Sequence, residues 1–346
     1  MAIRLSEVAY SRQNHFNLIR ILAALAVLFG HTEALLLKPE PSVLGLSLGS
    51  FAVDVFFVIS GFLVGASLWR RQDLLDYAKA RFFRIVPGLA VMLLLVVLVL
   101  APSLTQFSLA QYFSDSQVLR YFVKCLTLLT GVEYHLPGVF LHNPYPAAVN
   151  GSLWTLPYEV KMYIVLAFLF FVVRKLRGIR VWQTKETTGL VVFIGLVWLG
   201  LELFLNLQRG HAAHLAWMFF SGVALFHLRE VIVLKLHYAI AALALLVMAS
   251  AWNSAYFMHV YPLVLPYLIL YLAYLPSSYL ANYNRLGDYS YGVYIYAFPI
   301  QQSLIALFPN SLSWQLNLAA TVLTLSMAIF SWHRIEQPCL QWRSRK

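Results

Sequence analysis

The chain has 346 residues, of which 61% are hydrophobic, 15% aromatic and only 11% charged. Soluble domains carry about 25% charged and 45–50% apolar residues, so this composition excludes an ordinary soluble enzyme, a disordered chain and a disulfide scaffold, and leaves a polytopic membrane protein. The formal net charge of +11, from 25 Lys+Arg against 14 Asp+Glu, would suggest nucleic acid in a soluble protein; in so apolar a chain it suggests loops gathered on one side of a membrane.

A bilayer-crossing helix needs about 20 mostly apolar residues. Such stretches fall, in chain order, near 18–37, 51–69, 85–104, 153–173, 188–206, 214–228, 233–251, 256–275, 289–308 and 314–333. They predict an all-α polytopic helical bundle with about ten transmembrane helices. The sixth stretch is short. The segment 119–133 is also apolar, but it is brief and holds Arg120 and Lys124, so it reads as interfacial or re-entrant.

The charges test this layout. Ten crossings with cytoplasmic N- and C-termini put Arg4 and Arg12 inside, then Arg70, Arg71, Lys79, Arg81 and Arg84, then Arg174, Lys175, Arg177, Arg180 and Lys185, then Arg229, Arg285, Arg334, Arg343, Arg345 and Lys346. Outside lie Lys38, Arg120, Lys124 and Arg209. Eighteen against four is the positive-inside bias, which removes nucleic acid as a partner. Counting 119–133 as an eleventh crossing would turn Arg174–Arg180 outward and spoil that bias. Arg4 and Arg12 ahead of an apolar run mimic a signal peptide. The run continues and carries Arg20 and His31, so a retained first span is expected. The chain reads as one integral-membrane domain, 1–346, with no appended soluble domain. Cys125 and Cys339 match no metal or redox spacing and read as structural or incidental.

Ionisable groups inside spans are costly and point to function. They are Arg20, His31, Glu33, Asp54, Glu159, Lys161 and Glu202. At a rise of about 1.5 Å per residue, His31 and Glu159 each lie ~9 Å from the outer end of their spans and Asp54 ~5 Å. A histidine and two carboxylates on three helices therefore gather in the outer third. There a carboxylate can orient the ring, and the ring can take a proton from a hydroxyl. Arg20 precedes His31 by eleven residues, close to three turns, and so shares its face. Glu33 points elsewhere, and Glu202 has no visible partner and reads as structural.

The inner loop Arg70 to Arg84 combines five positive and two negative charges with an apolar side of Leu74, Leu75, Tyr77, Ala78 and Phe82. That pattern resembles a short interfacial helix. Positive-inside anchoring accounts for part of it; arginine forks three residues apart, Arg81 and Arg84, also suit a phosphate-rich ligand. Asn150-Gly151-Ser152-Leu153-Trp154-Thr155-Leu156-Pro157-Tyr158-Glu159 reads as a helix entrance at the outer surface. The long segment 105–151 before it could cap an acceptor site. Gly61 and Gly65 have small-xxx-small spacing, which predicts close helix packing.

These residues resemble the membrane acyltransferase-3 family, which includes bacterial O-acetyltransferases, over nearly the whole chain. Arg20 and His31 match its Arg-x10-His signature. Phe51-Ala-Val-Asp54-Val-Phe-Phe-Val-Ile-Ser60-Gly61-Phe62-Leu63 resembles its second-span signature. Arg81-Phe-Phe-Arg84-Ile-Val-Pro87 resembles its Arg-x-x-Arg element, and Leu153-Trp154 through Glu159 its Trp…Glu element. Ser290-Tyr291-Gly292-Val293-Tyr294 and Glu336-Gln-Pro338 match late signatures. Ala297 departs from the family, many of whose members carry histidine there.

The resemblance implies acetyl-CoA or another acyl-CoA as donor, no metal, and a saccharide or lipid-linked glycan as acceptor, in the bacterial cytoplasmic (inner) membrane, with a homo-oligomer compatible. The expected roles are His31 as base, oriented by Glu159 or Asp54, and Arg71, Arg81 and Arg84 on the CoA phosphates. Arg20 would line the path of the acyl arm, and Tyr291 and Tyr294 would close the donor site. The rival from another class is a proton-coupled transporter or glycan exporter, since buried His, Asp and Glu also build proton relays. The chain shows no paired halves of the transporter kind, and a transporter has no need of the arginine loop.

Overall fold

The computed structural model describes residues 2–177, 210–275 and 282–344. The expected span over 188–206 with Glu202, the basic residues Arg180, Lys185, Arg209, Arg345 and Lys346, and part of the inner segment 276–288 lie outside the described residues. Each of the other expected spans is a helix. These are α1 (Phe16–Leu35), α2 (Leu48–Arg71), α3 (Leu74–Leu95), α6 (Leu156–Arg177), α7 (His211–His227), α8 (Leu236–Trp252), α9 (Ser254–Ala273), α10 (Ser290–Leu307) and α11 (Ser313–Ser331). Two short helices, α4 (Leu109–Ser114) and α5 (Ser116–Thr127), sit in the long connection, and α12 (Gln337–Ser344) closes the chain. Among the described residues, strands form two short antiparallel pairs, Ala2–Arg4 with Val233–Lys235 and Ser42–Val43 with Leu46–Ser47.

Six helices among the described residues are long and apolar enough to cross a membrane: Phe16–Leu35, Leu48–Arg71, Leu74–Leu104, Gly151–Lys175, Tyr256–Ala273 and Ser313–Arg343. The helix α8 is apolar but shorter. Leu22, Leu98, Phe168, Leu243 and Leu318 are all more than half exposed, a surface suited to lipid rather than water.

One departure from the sequence reading has a local cause. The amphipathic stretch before Arg84 and the span expected at 85–104 are one continuous helix from Leu74 to Leu104. Pro87 inside it removes one backbone donor without ending it, as helices in lipid tolerate. The turn widens into a π segment at Val96–Leu100 before the final Ala101–Leu104 turn. The expected interfacial piece at 119–133 is α5, only 12 residues long. Its apolar Leu119 and Val123 are exposed while Val118, Tyr121 and Cys125 are buried. Leu128 in the left-handed region (φ 59°) and Gly131 (φ 95°) end it.

The chain forms two compact units. One comprises Met1–Ile19, Val53–Tyr77 and Lys161–Leu286. In it, α2 and α7 approach at backbone distance. A Cβ on Gly61 would strike the Phe219 carbonyl, one on Gly222 the Val58 carbonyl, and Gly65 rests on Val223. The small-residue spacing on α2 thus does what it predicts, and α7 answers with a glycine of its own. The same unit buries Asp54, 3% exposed. His214 Nε2 lies 2.9 and 3.0 Å from its two oxygens, and the Tyr261 hydroxyl donates to Oδ2 at 2.8 Å.

The other unit comprises Arg20–Ala52, Ala78–Val160 and Gly287–Lys346. Its apolar core joins Leu28 and Leu35 of α1, Ala148 of the long connection before α6, Ala297, Phe298, Leu304 and Ile305 of α10, and Leu316 and Ala320 of α11. Two adjacent buried glutamines of α10 extend it in different directions. Gln301 donates to the Leu28 carbonyl and Thr32 Oγ1 at 2.7 and 2.6 Å. Gln302 donates to the Ala148 and Tyr145 carbonyls and accepts from Asn143 at 2.7 Å. The long connection 105–150 is thereby pinned to α10. Cys125 is structural within it: its thiol donates to the Glu133 carbonyl at 3.3 Å, and burial pushes it up to about 12.

Candidate functional site

The second unit brings α1 and α10 together, and the predicted site residues Arg20, His31, Tyr291 and Tyr294 lie along them. At one end stands a cluster built on Asp288, just ahead of α10. Arg20 on α1 forms an ion pair with Asp288 Oδ2. Arg84 on α3 reaches the same oxygen at 2.6 Å and Glu336 Oε2 at 3.5 Å. Ser290 at the start of α10 donates to Asp288 Oδ1 from both its hydroxyl (2.5 Å) and its backbone N–H (3.3 Å). Burial pushes the Asp288 carboxyl up, but the Arg20 and Arg84 guanidiniums and the Ser290 hydrogen bonds outweigh it and hold the group below its ordinary value. Glu336 lies in a π segment, Trp332–Glu336, that interrupts the last long helix, and it accepts from Ser331 Oγ at 2.9 Å. The Arg84 guanidinium also sits 5.4 Å from the centre of the Tyr291 ring, within cation–π range. The Tyr291 hydroxyl donates to the Ile85 carbonyl, and Gly88 makes room for that ring where a Cβ would crowd it. Arg81 is half-buried one turn before Arg84 on the same helix.

Eleven residues further along α1 is His31. Its Nδ1 lies 3.3 Å from Ser152 Oγ, and its ring meets Phe298 of α10 edge to face at 5.5 Å. Ser152 belongs to a 3-10 turn, Gly151–Thr155, that leads into α6. Four residues at this entrance engage α10. Asn150 donates to the Ile295 carbonyl at 2.9 Å. Gly151 lies so close to the Phe298 ring that a Cβ would collide. The Ser152 carbonyl accepts from the Tyr294 hydroxyl at 2.5 Å. Thr155 Oγ1 lies 2.6 Å from that same hydroxyl. Glu159, in the first turn of α6, lies within electrostatic reach of the Tyr291 and Tyr294 phenols.

The predicted residues therefore sort into groups. Arg20, Arg84 and Tyr291 gather at Asp288. His31 and Tyr294 share the turn of Ser152. Asp54 belongs to the other unit, with His214 and Tyr261 as partners, and so does Arg71, whose side chain is 40% exposed and paired with Asp76. Ala297 is 1% exposed within the apolar core. Sequence reasoning passed over Asp288, Ser152 in its contact with His31, and the glutamine pair. Asp288 stands just ahead of α10, in a segment whose Lys and Arg alone enter the charge-bias argument. The glutamines carried a signal, two amides inside an apolar helix, that a search restricted to ionisable groups does not register.

A family model described as an acyltransferase domain matches residues 14–333. An O-acetyl transferase of Shigella phage Sf6 is 30% identical over 349 residues, covering 97% of this chain and 98% of that protein. Nodulation protein 10 of Rhizobium leguminosarum bv. viciae is 28% identical over 376 residues, covering 98% of this chain and 96% of that protein. No solved structure matches the chain. A match of this extent means that the chain belongs to the acyltransferase-3 family, as a multi-pass membrane acyltransferase of the O-acetyltransferase class.

Proposed function

We propose that the protein transfers an acyl group, acetyl foremost, from cytoplasmic acyl-CoA to a hydroxyl of a saccharide or lipid-linked glycan at the outer face of a bacterial cytoplasmic membrane. The observation that carries this reading is the division of labour along α1. Arg20 stands in an arginine–carboxylate cluster and His31 beside a buried hydroxyl, roughly 16 Å apart by helix rise. An extended donor with charged phosphates at one end and a thioester at the other suits that spacing. The bias of Lys and Arg toward the segments read as cytoplasmic supports donor access from that side, and the O-acetyl transferase relative supports oxygen as the acceptor atom.

In this reading Arg81 and Arg84 take the CoA phosphates, because guanidinium forks match phosphate geometry. Arg20 lies between them and the base, and Tyr291 holds Arg84 from beneath. Neutral His31 removes the proton of the acceptor hydroxyl as the oxygen attacks the thioester carbonyl. The new ester bond forms, the carbon–sulfur bond breaks, and the proton leaves with the CoA thiol. Glu159 is the carboxylate we assign to this region, while the donors around Asp54 are His214 and Tyr261.

The test uses membranes holding equal amounts of wild-type protein or His31→Ala, supplied with labelled acetyl-CoA and a glycan acceptor. Loss of the base lowers transfer by about a hundredfold or more, and mass spectrometry of the glycan locates the added acyl group. Undiminished transfer by His31→Ala refutes the mechanism.

A further inference from the structure

We propose that Ser152 is the positioning residue of His31: its hydroxyl accepts the Nδ1 proton, fixes the tautomer and leaves the Nε2 lone pair to act as base. This rests on the reading of His31 as base given above. A neutral imidazole has one nitrogen that donates and one that accepts, and the partner of the first decides which the second will be. Among the described residues, Nδ1 is the His31 nitrogen with a hydrogen-bond partner, and that partner is Ser152 Oγ at 3.3 Å. The edge-to-face contact with Phe298 opposes rotation of the ring about its long axis. A hydroxyl suits the task, because it accepts from Nδ1–H without placing a second full charge in a low-dielectric region.

The structure around Ser152 is built to hold it still. Its carbonyl is clamped by Tyr294, Tyr294 is met by Thr155 from the same turn, Asn150 is tied to the Ile295 carbonyl, and Gly151 is pressed on Phe298. Four interactions thus register the turn on one helix, α10, which also supplies the ring beside His31. Tyr294 then serves the base through Ser152 rather than the donor site. A nucleophilic role for Ser152 fits less well. Ser152 is 0% exposed, while His31 keeps part of its surface open, so an incoming acyl group meets the ring before the hydroxyl.

The experiment measures steady-state acetyl transfer by purified protein in lipid nanodiscs, with acetyl-CoA and acceptor varied separately. Ser152→Ala is expected to lower kcat about ten- to a hundredfold, the cost of a misplaced catalytic group, with KM for acetyl-CoA held within about twofold of wild type. Ser152→Thr, which keeps the hydroxyl, restores most of the rate. Should Ser152→Ala fail to accumulate, Tyr294→Phe, which loosens the turn, takes its place and lowers kcat in the same sense. Nitrogen-15 spectra of labelled histidine, with the His31 signals identified by their loss in His31→Ala, show the proton on Nδ1 in wild type. A proton on Nε2, a Ser152→Ala kcat equal to wild type, a change confined to KM, or an acyl group recovered on Ser152 after acetyl-CoA alone overturns the proposal. If His31→Ala remains active, the underlying reading falls instead; if His31→Ala is dead and Ser152→Ala is not, only the positioning role falls.

Discussion

Replacing Asp288 by asparagine removes a carboxylate that Arg20 and Arg84 share while keeping an acceptor oxygen of the same size. The three side chains retain 10%, 20% and 15% of their exposure for Asp288, Arg20 and Arg84, so water compensates little. Removing one member of a buried ion pair costs about 3–5 kcal/mol. The retained oxygen and the second partner of Arg84, Glu336, put this change near the lower figure. About 3 kcal/mol is roughly a hundredfold in an equilibrium constant. Two assays read it. In detergent, the apparent melting midpoint should fall by about 5 °C. In acetyl transfer, KM for acetyl-CoA should rise at least about tenfold if the arginines hold its phosphates in the geometry Asp288 imposes. The pH dependence has a definite sign. Asp288 is held below its ordinary value in the folded protein, so its contribution is fully present above the ordinary carboxylate value of about 4 and is lost as pH falls further. Wild type should therefore lose stability more steeply below about pH 4 than Asp288→Asn. A variant whose midpoint, KM and acid limb all match wild type would refute the shared-carboxylate account.

Other outcomes follow from the packing. Gly222→Ala drives a methyl group against the Val58 carbonyl and the Phe62 backbone, where no side chain can move aside. It should cost about 1–3 kcal/mol or more, read as lower accumulation and melting midpoint. A neutral result would mean that α2 and α7 can separate freely. Asp54→Asn sets an amide donor among the Tyr261 hydroxyl and His214 Nε2. A double-mutant cycle with His214→Ala should give a coupling of about 0.5–3 kcal/mol, and additive effects would make the contact incidental.

Much of the framework was legible in residue order, because lipid imposes one rule on every crossing: apolar length with the backbone satisfied internally. The helices at Phe16–Leu35, Leu48–Arg71 and Ser313–Ser331 lie where apolar runs placed them, and Gly61 and Gly65 named the close-packed face in advance. Individual candidate residues could be picked out for the same reason, since an arginine or histidine in an apolar run stands out. Partnerships were not. His214 is 160 positions from Asp54, Asp288 is 268 from Arg20, and Ser152 is 121 from His31. Depth arithmetic could say that His31 and Glu159 share a level, but it could not say that a serine seven residues before Glu159 would face the ring. The continuity of Leu74–Leu104 was hidden by the change in composition near Arg84, because charge at one end and lipid-facing residues at the other look like two elements until the backbone joins them.

The π segment at Trp332–Glu336 has a consequence for how this helix evolves and can be engineered. A widened turn is one extra residue in an otherwise regular helix, and one residue is a rotation of about 100°. The segment therefore acts as a phase shifter: residues before it keep the register that packs α11 on α10, and residues after it are dialled to a different azimuth. Glu336 sits at the end of that shift, facing Ser331 and Arg84. Deleting a single residue between Trp332 and Ile335 would return the helix to regular pitch and turn the carboxylate away from the arginine, whereas a substitution at the same positions would leave the azimuth intact. For this stretch of chain, the number of residues carries information that their identity does not.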